Sequence, residues 1–209
     1  MKDKDKKRAE SKNEKKGTLY VVSTPIGNLE DITLRALKVL KDVDMIAAEN
    51  VRHTKGFCNH YGIKTRLTGY NQHNRKGRGP DLIERMKAGS DIALVTSAGT
   101  PAVSDPGAML IHMAIEEDIR VSPVPGPSAA IAALSVCGLR VDRFLFLGFL
   151  SNRPSKRKKE LKNLVDEHRT MLFFEAPHRV KSMLTDLYGV FGDHQRPWPV
   201  SLSLWDRPR

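Results

Sequence analysis

The stretch Leu19-Tyr20-Val21-Val22-Ser23-Thr24-Pro25-Ile26-Gly27-Asn28 decides how this chain is read: four residues suited to a strand run directly into a cluster of turn formers. After it, Ile32, Leu34, Leu37, Val39 and Leu40 form most of an apolar stripe at helical spacing, with Asp31 placed to cap it. Met45-Ile46-Ala47-Ala48 makes a second strand, and residues 49–53 a second polar loop. The alternation returns downstream. Residues 81–88 read as a helix, 92–95 as a buried strand, 97–107 (SAGTPAVSDPG) as a long loop, 108–117 as a helix and 120–124 as a strand. Strands alternating with helices imply a mostly parallel sheet in an α/β fold. Such sheets bind ligands beyond the carboxyl ends of their strands.

Residues 128–136 form a small, apolar helix that Gly138 ends, and beyond it the character changes. Residues 144–150 (FLFLGFL) and 170–175 (TMLFFE) read as aromatic-rich strands around a basic helix over residues 155–165. The expected layout is therefore a disordered basic arm over residues 1–17, an N-terminal α/β domain over 18–137 and a C-terminal α/β domain over 138–209.

The 209 residues carry a net charge of +11, a balance that favours polyanionic partners such as RNA. Cys58 and Cys137 lie far apart without ligand spacing, so neither a disulfide framework nor a metal site is expected, and a reducing cytoplasm fits. No apolar run is long enough to cross a bilayer, and the basic N-terminus lacks the apolar segment of a signal peptide.

Four loops follow strands: residues 23–28, 49–54, 97–107 and 125–128. None has the glycine pattern of a dinucleotide or ATP site. Each alone is an ordinary turn, but their shared place at strand ends makes them one candidate rim. In order, STPIGNLEDITLRAL, AENVRHT, SAGTPAVSDPG, PVPGPSAAIAAL, DRFLFLGFL and FFEAPHR resemble the ribosomal RNA small subunit methyltransferase I family of the tetrapyrrole-methylase superfamily. The resemblance implies a two-domain class III methyltransferase fold, S-adenosylmethionine held between the domains, and methylation of a cytidine ribose 2′-oxygen in small-subunit ribosomal RNA. It further implies cofactor-facing loops at Pro25 and Gly27, at Ser97, Gly99, Thr100, Ser104 and Asp105, and at Pro127, Ser128 and Ala129.

Methyl transfer needs positioning and loss of the acceptor's proton. Glu49, His53, Glu175 and His178 are the candidate bases or hydrogen-bonding groups, while Arg52 and Arg179 are suited to holding phosphate. Arg153, Lys156, Arg157, Lys158 and Lys159 form the densest basic patch of the folded part, suited to RNA phosphates. The partners expected are the ribosomal RNA or the assembled small subunit, with no membrane; a homodimer is left open.

The sequence departs from the family pattern at several places. Ser97 stands where an acidic residue is usual, Asn50-Val51 where the motif reads Asp-Thr, and Ala102 where glycine is usual. If the usual acid at position 97 bonds the cofactor, serine weakens that contact. After Gly192 the chain reads DHQRPWPVSLSLWDRPR, unlike the family's continuation, which implies a truncated second domain. Two alternatives stay open: a tetrapyrrole methyltransferase of the same superfamily, and an inactive RNA-binding remnant.

Overall fold

The computed structural model describes residues 16–192. The chain divides into two compact units, Met1–Pro127 and Ser128–Arg209. This division falls earlier than the 137/138 boundary read from the sequence. It follows the stiff Pro125-Gly126-Pro127 segment and assigns the next helix to the second unit.

In the first unit, β1 (Thr18–Val22), β2 (Met45–Ala48), β3 (Arg66–Gly69), β4 (Ile92–Val95) and β5 (Arg120–Val124) form a sheet in the order β3-β2-β4-β1-β5. Every pairing in it is parallel. The central strands β2 and β4 are buried at every residue, as continuous apolar runs in a sheet covered on both faces should be. Between the strands run α1 (Leu34–Asp42), α2 (Val51–His60), α3 (Arg75–Lys87) and α4 (Ala108–Glu116). One core cluster joins Leu19, Tyr70, Leu82, Met86, Ile92 and Leu110; a second joins Val22, Leu40, Ile46, Cys58, Ala93 and Val95.

Local chemistry explains where the sequence reading missed. Helix α1 is capped by Thr33, whose hydroxyl accepts from the Ala36 N–H at 3.1 Å; Asp31 belongs instead to a 3-10 turn, Leu29–Asp31. The polar segment after β2 is mostly helix, because the Asn50 side chain accepts from the His53 N–H at 3.1 Å and starts α2. The short, mostly polar strand β3 was missed. Helix α3 begins before Gly77, Gly79 and Pro80, which hid its first turns. Residues 16 and 17, assigned to the arm, are tied down: Gly17 N–H donates to the Met86 carbonyl at 2.7 Å, and a Cβ on Gly17 would collide with the Ser90 carbonyl. The rest of the expected arm, residues 1–15, and the unusual tail after Gly192 lie outside the described residues.

In the second unit, α5 (Ala129–Val136) precedes β6 (Phe144–Phe149), α6 (Pro154–Lys162), β7 (Thr170–Phe174) and α7 (Val180–Phe191). Strands β6 and β7 pair in parallel, with a register shift between Phe146 and Gly148 where Gly148 takes φ +59°. Leu150, Leu161, Met183 and Leu187 form the core beneath them. Among the described residues, no helix is long and apolar enough to cross a membrane.

Candidate functional site

Because the five strands of the first unit are parallel, the loops after β1, β2, β4 and β5 leave from one edge, and hydrogen bonds interlock them. Thr24 and Gly99 form an isolated antiparallel bridge: Thr24 N–H donates to the Gly99 carbonyl at 2.9 Å, and Gly99 N–H to the Thr24 carbonyl at 3.0 Å. The hydroxyls of Ser23 and Thr100 lie 2.9 Å apart, and Thr100 Oγ1 also donates to the Pro127 carbonyl at 3.3 Å. Gly99 takes φ +83°, a conformation that favours glycine, and a Cβ there would crowd Ile26 Cγ2 at 3.3 Å. Gly126 passes so close to Ser23 that a Cβ on it would come within 2.9 Å of the serine Cβ. The loops bearing Pro25, Gly99, Thr100 and Pro127 thus form one locked floor. Ser128 and Ala129 begin the second unit, where Ser128 is the N-terminal flanking residue of α5.

Beside this floor stands Glu49, one residue past β2. Its Oε2 accepts three hydrogen bonds: from Thr96 Oγ1 at 2.9 Å, Ser97 N–H at 3.0 Å and Ser97 Oγ at 2.7 Å. Burial opposes its charge, yet the Ser97 and Thr96 donors and the nearby His53 outweigh burial and hold the carboxyl below the usual glutamate range. All three bonds end on one oxygen, so Oε1 has no hydrogen-bond donor among the described residues. Asp105, in the 97–107 loop, behaves oppositely. Burial pushes it up to about 6, with the charge of Glu49 adding to the rise and the Thr96 hydroxyl opposing it. Two carboxylates that lose their charge at different points on the acid side therefore flank Thr96, Asp105 first and Glu49 only at lower pH.

The departures from the family pattern look different in this geometry. Ser97 is engaged with Glu49 through both its amide and its hydroxyl. Asn50 keeps the helix-capping bond that an aspartate would make. Ala102 sits at φ +69° and Ser104 at φ +68°, backbone conformations that cost non-glycine residues energy.

Of the remaining candidates, Arg52 and His53 are exposed on the first turn of α2. Glu175 and Arg179, in the second unit, form an ion pair with each other; Glu175 Oε1 also accepts from the Ala176 N–H at 2.8 Å, and its buried Oε2 has no partner. His178 is exposed in the 3-10 turn Pro177–Arg179. Within the basic patch, Arg157 is a correction: it is only 1% exposed, and its guanidinium is engaged by Asp186, by Ser182 Oγ at 2.8 Å and by the Ser151 carbonyl. At the fourth position of α6, Arg157 faces α7, so it is a buried structural residue and not a phosphate ligand. Lys158 lies 3.4 Å from Asp186, while Arg153, Lys156 and Lys159 remain exposed. The sequence places Ser23 and Thr24 in the candidate rim without singling them out, and Thr96 falls between the 92–95 strand and the 97–107 loop; the signal common to all three is a hydroxyl residue following an apolar strand. Among the described residues, no group of three or more His, Cys, Asp or Glu is arranged to hold a metal ion.

The chain is 48% identical over 180 residues to the ribosomal RNA small subunit methyltransferase I of Pseudomonas aeruginosa, covering 86% of this chain and 64% of that protein. It is 45% identical over 179 residues to the protein of that name from Bacillus subtilis, covering 86% of this chain and 61% of that one. The chain spans about three-fifths of the length of the curated relatives it matches. Among solved structures, a cobalt precorrin-4 methyltransferase from cobalamin biosynthesis superposes with TM-score 0.63 at 16% identity, covering 83% of this chain and 74% of that one. A diphthine synthase does so with TM-score 0.59 at 19% identity, covering 81% and 72%. These two likenesses establish the fold, α/β with the parallel sheet described above. The model of the tetrapyrrole (corrin/porphyrin) methylases matches residues 18–198, and the chain belongs to that family.

Proposed function

We propose that this chain binds S-adenosylmethionine on the interlocked loops of its first unit and directs the methyl group to a cytidine ribose 2′-oxygen in small-subunit ribosomal RNA. The observation that carries the reading is the 45–49% identity, over most of this chain, to proteins named ribosomal RNA small subunit methyltransferase I. The donor set fits the cofactor: its sulfonium and ammonium groups are cationic, and the loop edge offers the ionised Glu49 and, at neutral pH, a mostly ionised Asp105.

When bound, S-adenosylmethionine supplies an electrophilic methyl group on sulfur. The residues of the chain do the rest. The Thr24–Gly99 bridge and the Thr100 bonds hold the loop floor rigid, so positioning is not lost to loop motion. Thr96 and Ser97 orient the Glu49 carboxylate and leave Oε1 available to a ligand. Asp105, with a pKa near the working pH, is suited to exchange the proton of an acceptor hydroxyl. Arg52, exposed two residues after the motif's Asn50, is suited to an RNA phosphate.

The test is transfer of tritiated methyl from S-adenosylmethionine to assembled small ribosomal subunits lacking the modification, followed by digestion to nucleosides. Label in 2′-O-methylcytidine is the expected result. Label in no nucleoside, with the cofactor bound, would overturn the proposed substrate.

A further inference from the structure

Helices α2 and α3 both begin at the carboxyl edge of the sheet, and their starts converge over the end of β3. A Cβ built on Gly69 would lie 3.6 Å from Val51 Cγ2, at the first residue of α2, and 3.6 Å from Asn74 Nδ2, just before α3. The turn leading into α3 is closed by its own side chains: Asn71 N–H donates to Asn74 Oδ1 at 2.8 Å, Asn74 Nδ2 to the Gly69 carbonyl at 3.1 Å, and His73 N–H to Asn71 Oδ1 at 3.0 Å. The position of the α3 start is thereby fixed.

Five cations sit at these two starts. Arg52 and Lys55 are three apart on α2 and so share a face, and Arg75, Lys76 and Arg78 fill the first turn of α3. Arg52, Lys55, Lys76 and Arg78 are exposed. Among the described residues only Arg78 of the five forms an ion pair, a 3.5 Å contact with the exposed Asp81. Neither helix has an acidic residue in its first turn. Cations at a helix start oppose the helix dipole, so this distribution costs stability and is not one that folding favours. An anion lying across both starts offsets that cost.

We infer that the convergent starts of α2 and α3 form a phosphate-binding surface, with Arg52, Lys55, Arg75, Lys76 and Arg78 contacting the sugar-phosphate backbone of the RNA that carries the acceptor hydroxyl. This rests on the proposed function and deepens it, because α2 starts two residues after Glu49. Tyr70, the one Phe, Tyr or Trp in the turn and the two helix starts, is buried in the core, so the surface grips backbone without stacking on bases.

The test is titration of fluorescein-labelled polycytidylate RNA across a range of salt. The variants are Lys55→Gln/Lys76→Gln/Arg78→Gln and a control of equal charge, Lys38→Gln/Lys41→Gln/Arg85→Gln, whose residues are exposed on the later turns of α1 and α3. Each contact to single-stranded RNA contributes about 0.7 to the slope of log affinity against log salt, so the first variant should flatten the slope by about 2 and weaken binding at least tenfold at about 0.1 M salt. The control should keep the wild-type slope. An unchanged slope in the first variant, or an equal loss in both, overturns the inference. Methyl transfer to small subunits is measured alongside: a flattened slope without methyl transfer supports the surface and removes the catalytic reading, whereas an unchanged slope with methyl transfer removes the surface alone.

Discussion

Ser97→Ala isolates the most specific contact of the site. The substitution deletes one hydroxyl, which donates to Glu49 Oε2 at 2.7 Å, and leaves the Ser97 amide and the Thr96 hydroxyl in place. A hydrogen bond to a charged acceptor contributes roughly 1.5–3 kcal/mol, and this one is part-buried, so a loss of about 1.5 kcal/mol in folding stability is expected at neutral pH. In a Glu49→Gln background the bond joins neutral groups and the loss should fall to about 0.5 kcal/mol, giving a coupling energy of about 1 kcal/mol. The pH dependence has a definite sign. Glu49 is held below its ordinary range, so its contribution is fully present above the unfolded-state value, about 4.3, and is lost as pH falls through the folded value. The cost of Ser97→Ala should therefore shrink in acid. Urea denaturation of the four proteins of the cycle, at neutral pH and near pH 3, measures this. Equal losses in both backgrounds, or a loss that does not shrink in acid, would refute the role given to the Ser97–Glu49 pair.

Three further outcomes are expected. Ser97→Asp, the change toward the family's usual residue, brings a second carboxylate against Glu49; at about 4 Å and an effective dielectric near 20 the repulsion is about 4 kcal/mol, so the pair should share a proton and cofactor affinity should acquire a pH dependence beyond the one Asp105 gives the parent, measured by calorimetry across pH. Asp105 has a folded pKa of about 6, above its unfolded value of about 3.9, so its penalty on the fold grows as pH rises between the two and is complete above the folded value; Asp105→Asn should raise stability at pH 8 and leave it unchanged at pH 3, as read from denaturation midpoints. Arg157→Ala leaves Asp186 buried without its guanidinium partner and should cost about 3 kcal/mol, with the salt dependence of RNA binding unchanged.

The parallel sheet was legible because β2 and β4 are unbroken apolar runs and the segment after β1 is dense in turn formers. The loop floor was legible in part. Its glycines and prolines marked residues 97–107 and 125–128, but the bridge between Thr24 and Gly99 joins segments far apart in sequence and has no local signature. Helix α2 reads as loop in the sequence because Asn50, Arg52 and His53 look like loop chemistry, and only the capping bond shows otherwise. The start of α3 was hidden by Gly77, Gly79 and Pro80, although Pro80 falls early enough in the helix for the structure to absorb it. Arg157 reads with its basic neighbours because charge density along a sequence does not reveal which face of a helix each residue takes; the partner that buries it, Asp186, lies on α7. Ala102 puts a methyl group where glycine is usual, and its positive φ is the reason glycine suits the position. Ala102→Gly should therefore raise folding stability by about 1 kcal/mol, a shift of the denaturation midpoint that needs no cofactor.

The central claim is that the interlocked loops at the carboxyl edge of the first unit hold S-adenosylmethionine. Calorimetric titration of the cofactor into the chain and into Gly99→Val tests it most directly. Valine at φ +83° is strained, and its Cβ crowds Ile26, so the bridge to Thr24 should be displaced. One saturable site in the parent, weakened at least tenfold in a Gly99→Val protein whose helical circular dichroism is retained, is the predicted result; equal affinity in the two proteins, or no binding to the parent, would contradict the account.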